Sequence, residues 1–410
     1  MEEEGFCRWL AHRTRSFKPS PIQKLSHLAQ QRNAINLAEG FPDFPAPPEV
    51  KEAARDAIGA DFNQYRHVQG VCDKVAEHFE HFQGVKVDSK SDIVLCCGQS
   101  EALAAATFAG EFEQISFFTL GPLLLVVDRD DEVILLEPVY ETYESCIIMA
   151  GGKPVFVPLT PPLWTLDSEK LERSITSRTK AIVINSPHNP TGKVFAIEEL
   201  KEIAQLCCKH DLLAITDEVY EHIVFPGATH VSIASLPGML ERTIVTSSIS
   251  KTYSVTGWRV GWAIAPVQLA SAIRNIHVKL TDSAPSPFQV AALVALQSSH
   301  DFYAKLKSCY RERGEYIKKV LVEAGFEVPF TAQGSFFVFA RLPDAMKQND
   351  IEFVTDLINR AGVALVPGSA FFRSNKLGYE NRYVRVAFCK EMATLVAAER
   401  ALKKAKLFAW

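Results

Sequence analysis

Lys251 sits in Ser248-Ile249-Ser250-Lys251, and Thr256-Gly257-Trp258-Arg259-Val260-Gly261 follows closely. Most lysines are solvated surface residues; the surrounding serines and glycines single this one out. A lysine behind a strand of small and hydroxyl residues stands at a sheet's carboxyl edge. Buried there beside other positive groups, it loses its proton and forms an imine with a carbonyl compound. Arg259 lies eight residues on (259 − 251 = 8). Its fork of donors suits a phosphate dianion, and Ser248 adds a hydroxyl.

Four further motifs fit the same chemistry. Asp217 and Tyr220, in Asp217-Glu218-Val219-Tyr220, close an apolar run. An Asp at a strand's end can keep a heterocyclic ring nitrogen protonated, making the ring an electron sink. Tyr220 is then placed to bond a phenolic oxygen on that ring; the bland alternative is a turn capped by Asp217. Asn185-Ser186-Pro187-His188-Asn189-Pro190-Thr191-Gly192 is a stiff turn. Within it Asn189 can donate to the same oxygen, and His188 is expected to be a loop residue without a partner. In Cys97-Gly98-Gln99-Ser100, the N–H groups of Gln99 and Ser100 would point from a helix start at an anion. Arg385 alternates with Val384 and Val386 in an apolar strand. A buried arginine there needs an anion: a substrate carboxylate, or a salt bridge to a nearby Glu or Asp.

The elements that must position these residues follow from hydrophobic period. Asp92–Cys96, Glu132–Leu136, Pro154–Val157, Lys180–Asn185, Leu212–Thr216 and Thr243–Ser247 are short, rich in Val, Ile and Leu, and suit strands buried on both faces. Amphipathic stretches such as Ile197–Lys209 lie between them. The expectation is an α/β fold: a large domain with a mostly parallel sheet between helices, whose ligands sit beyond the strands' carboxyl ends. After about Pro287 the pattern becomes α+β. A helical region broken near Ser298-Ser299 runs to Gly325. Then come strand Ser335–Leu342, helix Ile351–Arg360, strand Tyr383–Phe388 and helix Glu391–Lys404. Residues 1–50 are assigned to an N-terminal arm that is part of a smaller domain, 51–290 to the large domain, and 291–410 to a connecting helix and that small C-terminal domain. One segment, Gly110–Val126, is too long and apolar for an ordinary connection. It is a family-specific insertion, covering an interface, or a translated non-coding stretch.

The 410 residues are 47% hydrophobic and 22% charged, with a formal net charge of -4, so no basic footprint for nucleic acid exists. Nine cysteines without a CxxC argue against a disulfide framework or zinc site. No apolar run reaches the roughly 18 residues of a membrane helix. The acidic start Met1-Glu2-Glu3-Glu4 is unlike a leader peptide, which points to the cytoplasm; Arg8, Arg13 and Arg15 leave an organelle address open. No GxGxxG follows a strand, which disfavours a nicotinamide enzyme.

The ordered set of motifs resembles the fold-type-I pyridoxal-phosphate aminotransferases, in the branch of kynurenine aminotransferase and glutamine transaminase K. The likeness runs from about Pro21 to Leu402. It includes Ala38-Glu39-Gly40-Phe41-Pro42-Asp43-Phe44, Asn63-Gln64-Tyr65, Pro187-His188-Asn189-Pro190-Thr191-Gly192, Thr216-Asp217-Glu218-Val219-Tyr220 and Ser250-Lys251-Thr252. The resemblance implies a seven-stranded-type sheet and a homodimer with shared active sites. It implies that Lys251 binds pyridoxal 5'-phosphate as a Schiff base and shuttles the proton. Asp217 would hold the ring nitrogen, Asn189 and Tyr220 the phenolic oxygen, and Tyr140 would stack on the ring. Gln99, Ser100, Ser248 and Arg259 would hold the phosphate, with Tyr65 reaching over from the neighbouring subunit. Arg385 would bind the α-carboxylate and the backbone of Gly40 would close over the substrate. The implied reaction is transamination between an L-amino acid (aromatic, kynurenine, glutamine or methionine-like) and a 2-oxo acid. Cysteine-S-conjugate β-elimination on the same site, and an inactive cofactor-binding protein disrupted by the insertion, are the alternatives. Ile22 departs from the pattern, standing where relatives with strong aromatic preference carry tryptophan.

Overall fold

The computed structural model describes residues 21–107, 126–373 and 377–405. The segment Gly110–Val126, except Val126 itself, and the arginines at 8, 13 and 15 lie outside the described residues.

After a short strand β1 (Ile35–Asn36) come β2 (Ile93–Cys96), β3 (Glu132–Glu137), β4 (Lys153–Pro158), β5 (Thr179–Asn185), β6 (Leu213–Asp217), β7 (Thr243–Ser248) and β8 (Gly261–Ile264). The last seven form one sheet in the order β2-β8-β7-β6-β5-β3-β4. Pairings from β7 out to β4 are parallel, whereas β8 runs antiparallel to both β7 and β2. The expected strands are present with ends shifted by a residue or so. β8 is an addition: it returns from β7 without a crossover helix, so no strand–helix–strand alternation announces it.

Period-two alternation decides which layer each side chain joins. Val133, Leu135, Val183 and Ile215 meet one helical layer, in which Leu103, Ile147 and Ile273 are buried. Their neighbours Ile134, Leu136, Ile182 and Ile184 face a second cluster. Leu95, Val245 and Ile264 pack on helices Pro48–Gly59, Gln69–Gln83 and Ser286–Leu296. Each fully buried Leu, Ile or Val contributes about 1.5–3 kcal/mol, so both faces of the sheet stabilise the fold.

Further on, β9 (Phe337–Arg341), β10 (Val363–Ala364), β11 (Val366–Pro367) and β12 (Tyr383–Ala387) complete the strands. β11-β12-β9 is an antiparallel sheet, and β1 pairs in parallel with β10 through Ile35↔Val363. The expected helical break falls between Ser286–Leu296 and His300–Glu323. Helix Asp350–Ala361 is delimited by a capping box, in which Asn349 Oδ1 accepts from Glu352 N at 2.9 Å and Glu352 Oε2 accepts from Asn349 N at 3.1 Å. It stops at Gly362, whose φ of 65° suits glycine. Among the described residues no helix is long and apolar enough to cross a membrane.

Candidate active site

β5, β6 and β7 run parallel, so their carboxyl ends open on one side. There a cavity of about 350 Å³ collects Lys251, Asp217, Asn189, Arg259 and Arg385, residues spread over nearly two hundred positions of sequence. Gln99, Ser100, Tyr140, Tyr220, Ser248 and Gly40 line it as well. Cavities of about 510 and 560 Å³ lie elsewhere, but Lys251, Asp217 and Arg385 line neither.

Lys251 Nζ donates to the carbonyl of Gly40 at 3.0 Å. Burial pushes its ammonium down to about 8, aided by the charges of Arg385 and Arg259 and opposed by Cys389 and Asp217. About a tenth of the amine is therefore neutral at pH 7, far more than for an ordinary lysine, and the neutral form is the nucleophile. Asp217 is buried, and burial pushes its carboxyl up to about 6 against hydrogen bonds from Tyr143 and Val219 N and the nearby Lys251. A cation placed against it would favour the ionised form.

Arg385 is 4% exposed. Nη1 donates to Asn189 Oδ1 at 2.9 Å and Nη2 to the Ala38 carbonyl at 2.7 Å, while Nε is buried without a partner. The partners it shows are neutral oxygens rather than the carboxylate of a structural salt bridge. The rings of Phe337 and Phe371 flank the guanidinium, with centroids 4.4 and 4.9 Å away. Asn189 commits its Oδ1 to Arg385, leaving its amide NH2 as the donor for another group. Tyr220 is buried edge-on against Phe336 and Phe337.

Gly98 and Gly261 leave no room for side chains beside Arg259 and Gln99. Gly98 has φ 82°, and a Cβ there would come within 2.3 Å of Arg259 Nη2. A Cβ on Gly261 would come within 2.5 Å of Gln99 N. The start of helix Gln99–Thr107 thus lies against Arg259, Ser248 and Ser250 line the same cavity, and Ser250 Oγ is buried without a partner. Helix N–H groups, a guanidinium and hydroxyls are a phosphate's donor set. The buried carboxylate of Asp217, which could face a ring nitrogen, the aromatic Tyr140 and the amine of Lys251 complete what pyridoxal phosphate needs, so the residues present fit that group.

Tyr143 was not singled out in the sequence, and His188 stands otherwise than its motif suggested. Tyr143, one helical turn after Tyr140, lines the cavity and donates to Asp217 Oδ2 at 2.6 Å. The i,i+3 spacing of the two tyrosines was the available signal. His188 is no free loop residue: it is 3% exposed, its Nδ1 lies 2.7 Å from Thr191 Oγ1, and its ring packs on Phe195. Tyr65 is 78% exposed and does not line this chain's own cavity. Ile22, where relatives were expected to carry tryptophan, lies on the cavity wall.

The family model for aminotransferase class I and II matches residues 32–400. The probable N-succinyldiaminopimelate aminotransferase of Mycobacterium tuberculosis is 37% identical over 95% of this chain and 97% of its own. The solved structure of N-succinyldiaminopimelate aminotransferase from Mycobacterium tuberculosis superposes with a TM-score of 0.89 at 36% identity, covering 97% of this chain and 100% of the other. Human kynurenine–oxoglutarate transaminase 1 is 33% identical over 95% of this chain and 96% of its own. Methionine aminotransferase of Escherichia coli is 32% identical, over 93% and 94%. With the phosphate's donor set, the buried lysine and the carboxylate already in place, these likenesses identify the chain as a member of the class I and II aminotransferases, enzymes of fold type I whose cofactor is pyridoxal phosphate.

Proposed function

We propose that the chain transaminates an L-amino acid with a large uncharged side chain (aromatic, kynurenine, glutamine or methionine-like) against a 2-oxo acid. The observation that carries this reading is the buried Arg385 with its orphan Nε, on a cavity shared with Lys251 and Asp217. A buried guanidinium with an unused donor is a seat for an α-carboxylate. Human kynurenine–oxoglutarate transaminase 1 and the methionine aminotransferase of Escherichia coli, among the relatives, support donors of this kind.

Each residue is assigned one task. Arg385 grips the carboxylate and so orients Cα toward Lys251. Pyridoxal phosphate, when bound, supplies an imine-forming carbonyl and a ring that takes up the electron pair of Cα. Lys251 Nζ, once the substrate's amine has replaced it, would be the free base that takes up and returns the Cα proton. Asp217 holds the proton on the ring nitrogen, and Tyr143 holds Asp217 in place. Asn189 and Tyr220 donate to the phenolic oxygen, and Tyr140 stacks on the ring. Gln99, Ser100, Ser248 and Arg259 bind the phosphate. Tyr65, exposed on its own chain, is assigned to the site of a second copy, which makes the working unit a homodimer. In domain terms, the large domain spans 51–290, while the arm and residues 291–410 form the smaller one.

A panel of amino acids with several 2-oxo acid acceptors tests the reading. Turnover of aromatic, sulfur-containing or amide donors with ping-pong kinetics is expected. Pyruvate release from cysteine conjugates without any acceptor would move the assignment to β-elimination. Preference for dicarboxylic donors would remove it.

A further inference from the structure

Helix Gln99–Thr107 meets the cavity with its first two residues and is held from behind by side chains outside it. Glu101 Oε2 accepts the backbone N–H of Cys97, and Glu101 Oε1 accepts the hydroxyl of Thr281 at 2.6 Å. His277 Nδ1 faces both carboxylate oxygens, at 3.1 and 3.0 Å. His277 and Thr281 belong to helix Val267–Thr281, so one carboxylate ties the Cys97–Ser100 turn to a second helix. The Glu101 side chain is 9% exposed. Burial alone would raise its carboxyl, but the hydrogen bonds from His277, Thr281 and Cys97 outweigh that and hold it below the ordinary value. The turn it secures has little tolerance. Gly98 lies against the Arg259 guanidinium, and Gly261 lies against Gln99 N.

We propose that Glu101, clamped by His277 and Thr281, is the positioning residue that sets how tightly the cofactor's phosphate is held. It fixes the turn so that Gln99 N–H, Ser100 N–H and Arg259 converge on one point. The inference rests on the phosphate assignment made above. Cys96, Glu101 and His277 also offer metal-ligating atoms within 4.8 Å of one another. The Glu101 oxygens and His277 Nδ1 already have hydrogen-bond partners, and Cys96 Sγ lies 3.7 Å from the Val94 carbonyl, which favours a clamp over a metal centre.

The test compares two probes on cofactor-free protein: pyridoxal 5'-phosphate, and pyridoxal, which lacks the phosphate. Their affinities are read from visible absorbance in wild type, Glu101→Gln, His277→Ala and His277→Asn, with circular dichroism reporting the fold. Glu101→Gln and His277→Ala should each weaken pyridoxal-phosphate binding about tenfold and leave pyridoxal binding unchanged. His277→Asn, whose amide NH2 can take the place of Nδ1–H, should recover most of the loss. Unchanged pyridoxal-phosphate affinity in both variants overturns the proposal, and so does an equal loss for both probes. If Glu101→Gln does not fold, the His277 pair decides. A wild-type protein that binds neither probe would remove the cofactor assignments instead, a separate result.

Discussion

The Tyr143 hydroxyl donates to Asp217 Oδ2 across 2.6 Å, inside the protein, where burial raises the phenol well above its ordinary value. The phenol therefore stays a donor at every working pH, and it lowers the carboxyl that burial raises. Tyr143→Phe keeps the ring and deletes that hydrogen bond. A hydrogen bond to a charged group contributes about 1.5–3 kcal/mol, so kcat should fall about tenfold or more while cofactor stays bound. Steady-state kinetics on the saturated variant check this; unchanged kcat would make Tyr143 a packing residue only.

Arg385→Lys replaces a fork held by Asn189 Oδ1 and the Ala38 carbonyl with a point charge. Losing one partner of a buried charge contact costs about 2–5 kcal/mol, so kcat/KM should drop about a hundredfold for every amino donor. Cofactor affinity should fall less, since the guanidinium is bonded to Asn189 and Ala38 and is not assigned to the phosphate. A drop in cofactor affinity of the same size would contradict the placement.

Cofactor capture should depend on pH through Lys251. Its folded-state value lies near 8, below that of an ordinary lysine, so the neutral amine gains as pH rises, making up about half near 8 and about nine-tenths one unit higher. The reconstitution rate of cofactor-free protein should climb about tenfold per pH unit below 8 and flatten above it. Stopped-flow absorbance between pH 6 and about 9 reads this directly; a flat profile would assign the capture step to another group.

Gly98→Ala forces a Cβ onto a residue with φ 82° and into the space of the Arg259 guanidinium. Left-handed backbone costs a non-glycine residue about 1–2 kcal/mol, and Arg259 must also shift. Pyridoxal-phosphate affinity should fall by more than tenfold with the fold intact, as equilibrium dialysis with circular dichroism would show. Full affinity would mean that the phosphate sits elsewhere.

Legibility in the sequence depended on range. The strands buried on both faces carried their own signal, because continuous Val, Ile and Leu runs leave little choice. Lys251 and Arg259 were visible through the small and hydroxyl residues around them, and Asp217 because it closes an apolar strand. β8 was silent, being a four-residue antiparallel return. The pairing of β1 with β10 joins segments more than three hundred residues apart, and nothing local encodes it. The partners of Arg385 were hidden for the same reason, since Ala38 and Asn189 come from distant loops. His188 misled because its partner, Thr191, lies within its own turn and buries it there.

One amine, Nζ of Lys251, is expected to carry the cofactor. Borohydride reduction of the cofactor-loaded protein, followed by digestion and mass spectrometry, fixes the linkage irreversibly and reports its position. A pyridoxyl adduct is expected on the peptide containing Lys251, and none after Lys251→Ala. An adduct on Lys193, Lys390 or another lysine, or an unmodified Lys251 in an active preparation, would contradict it.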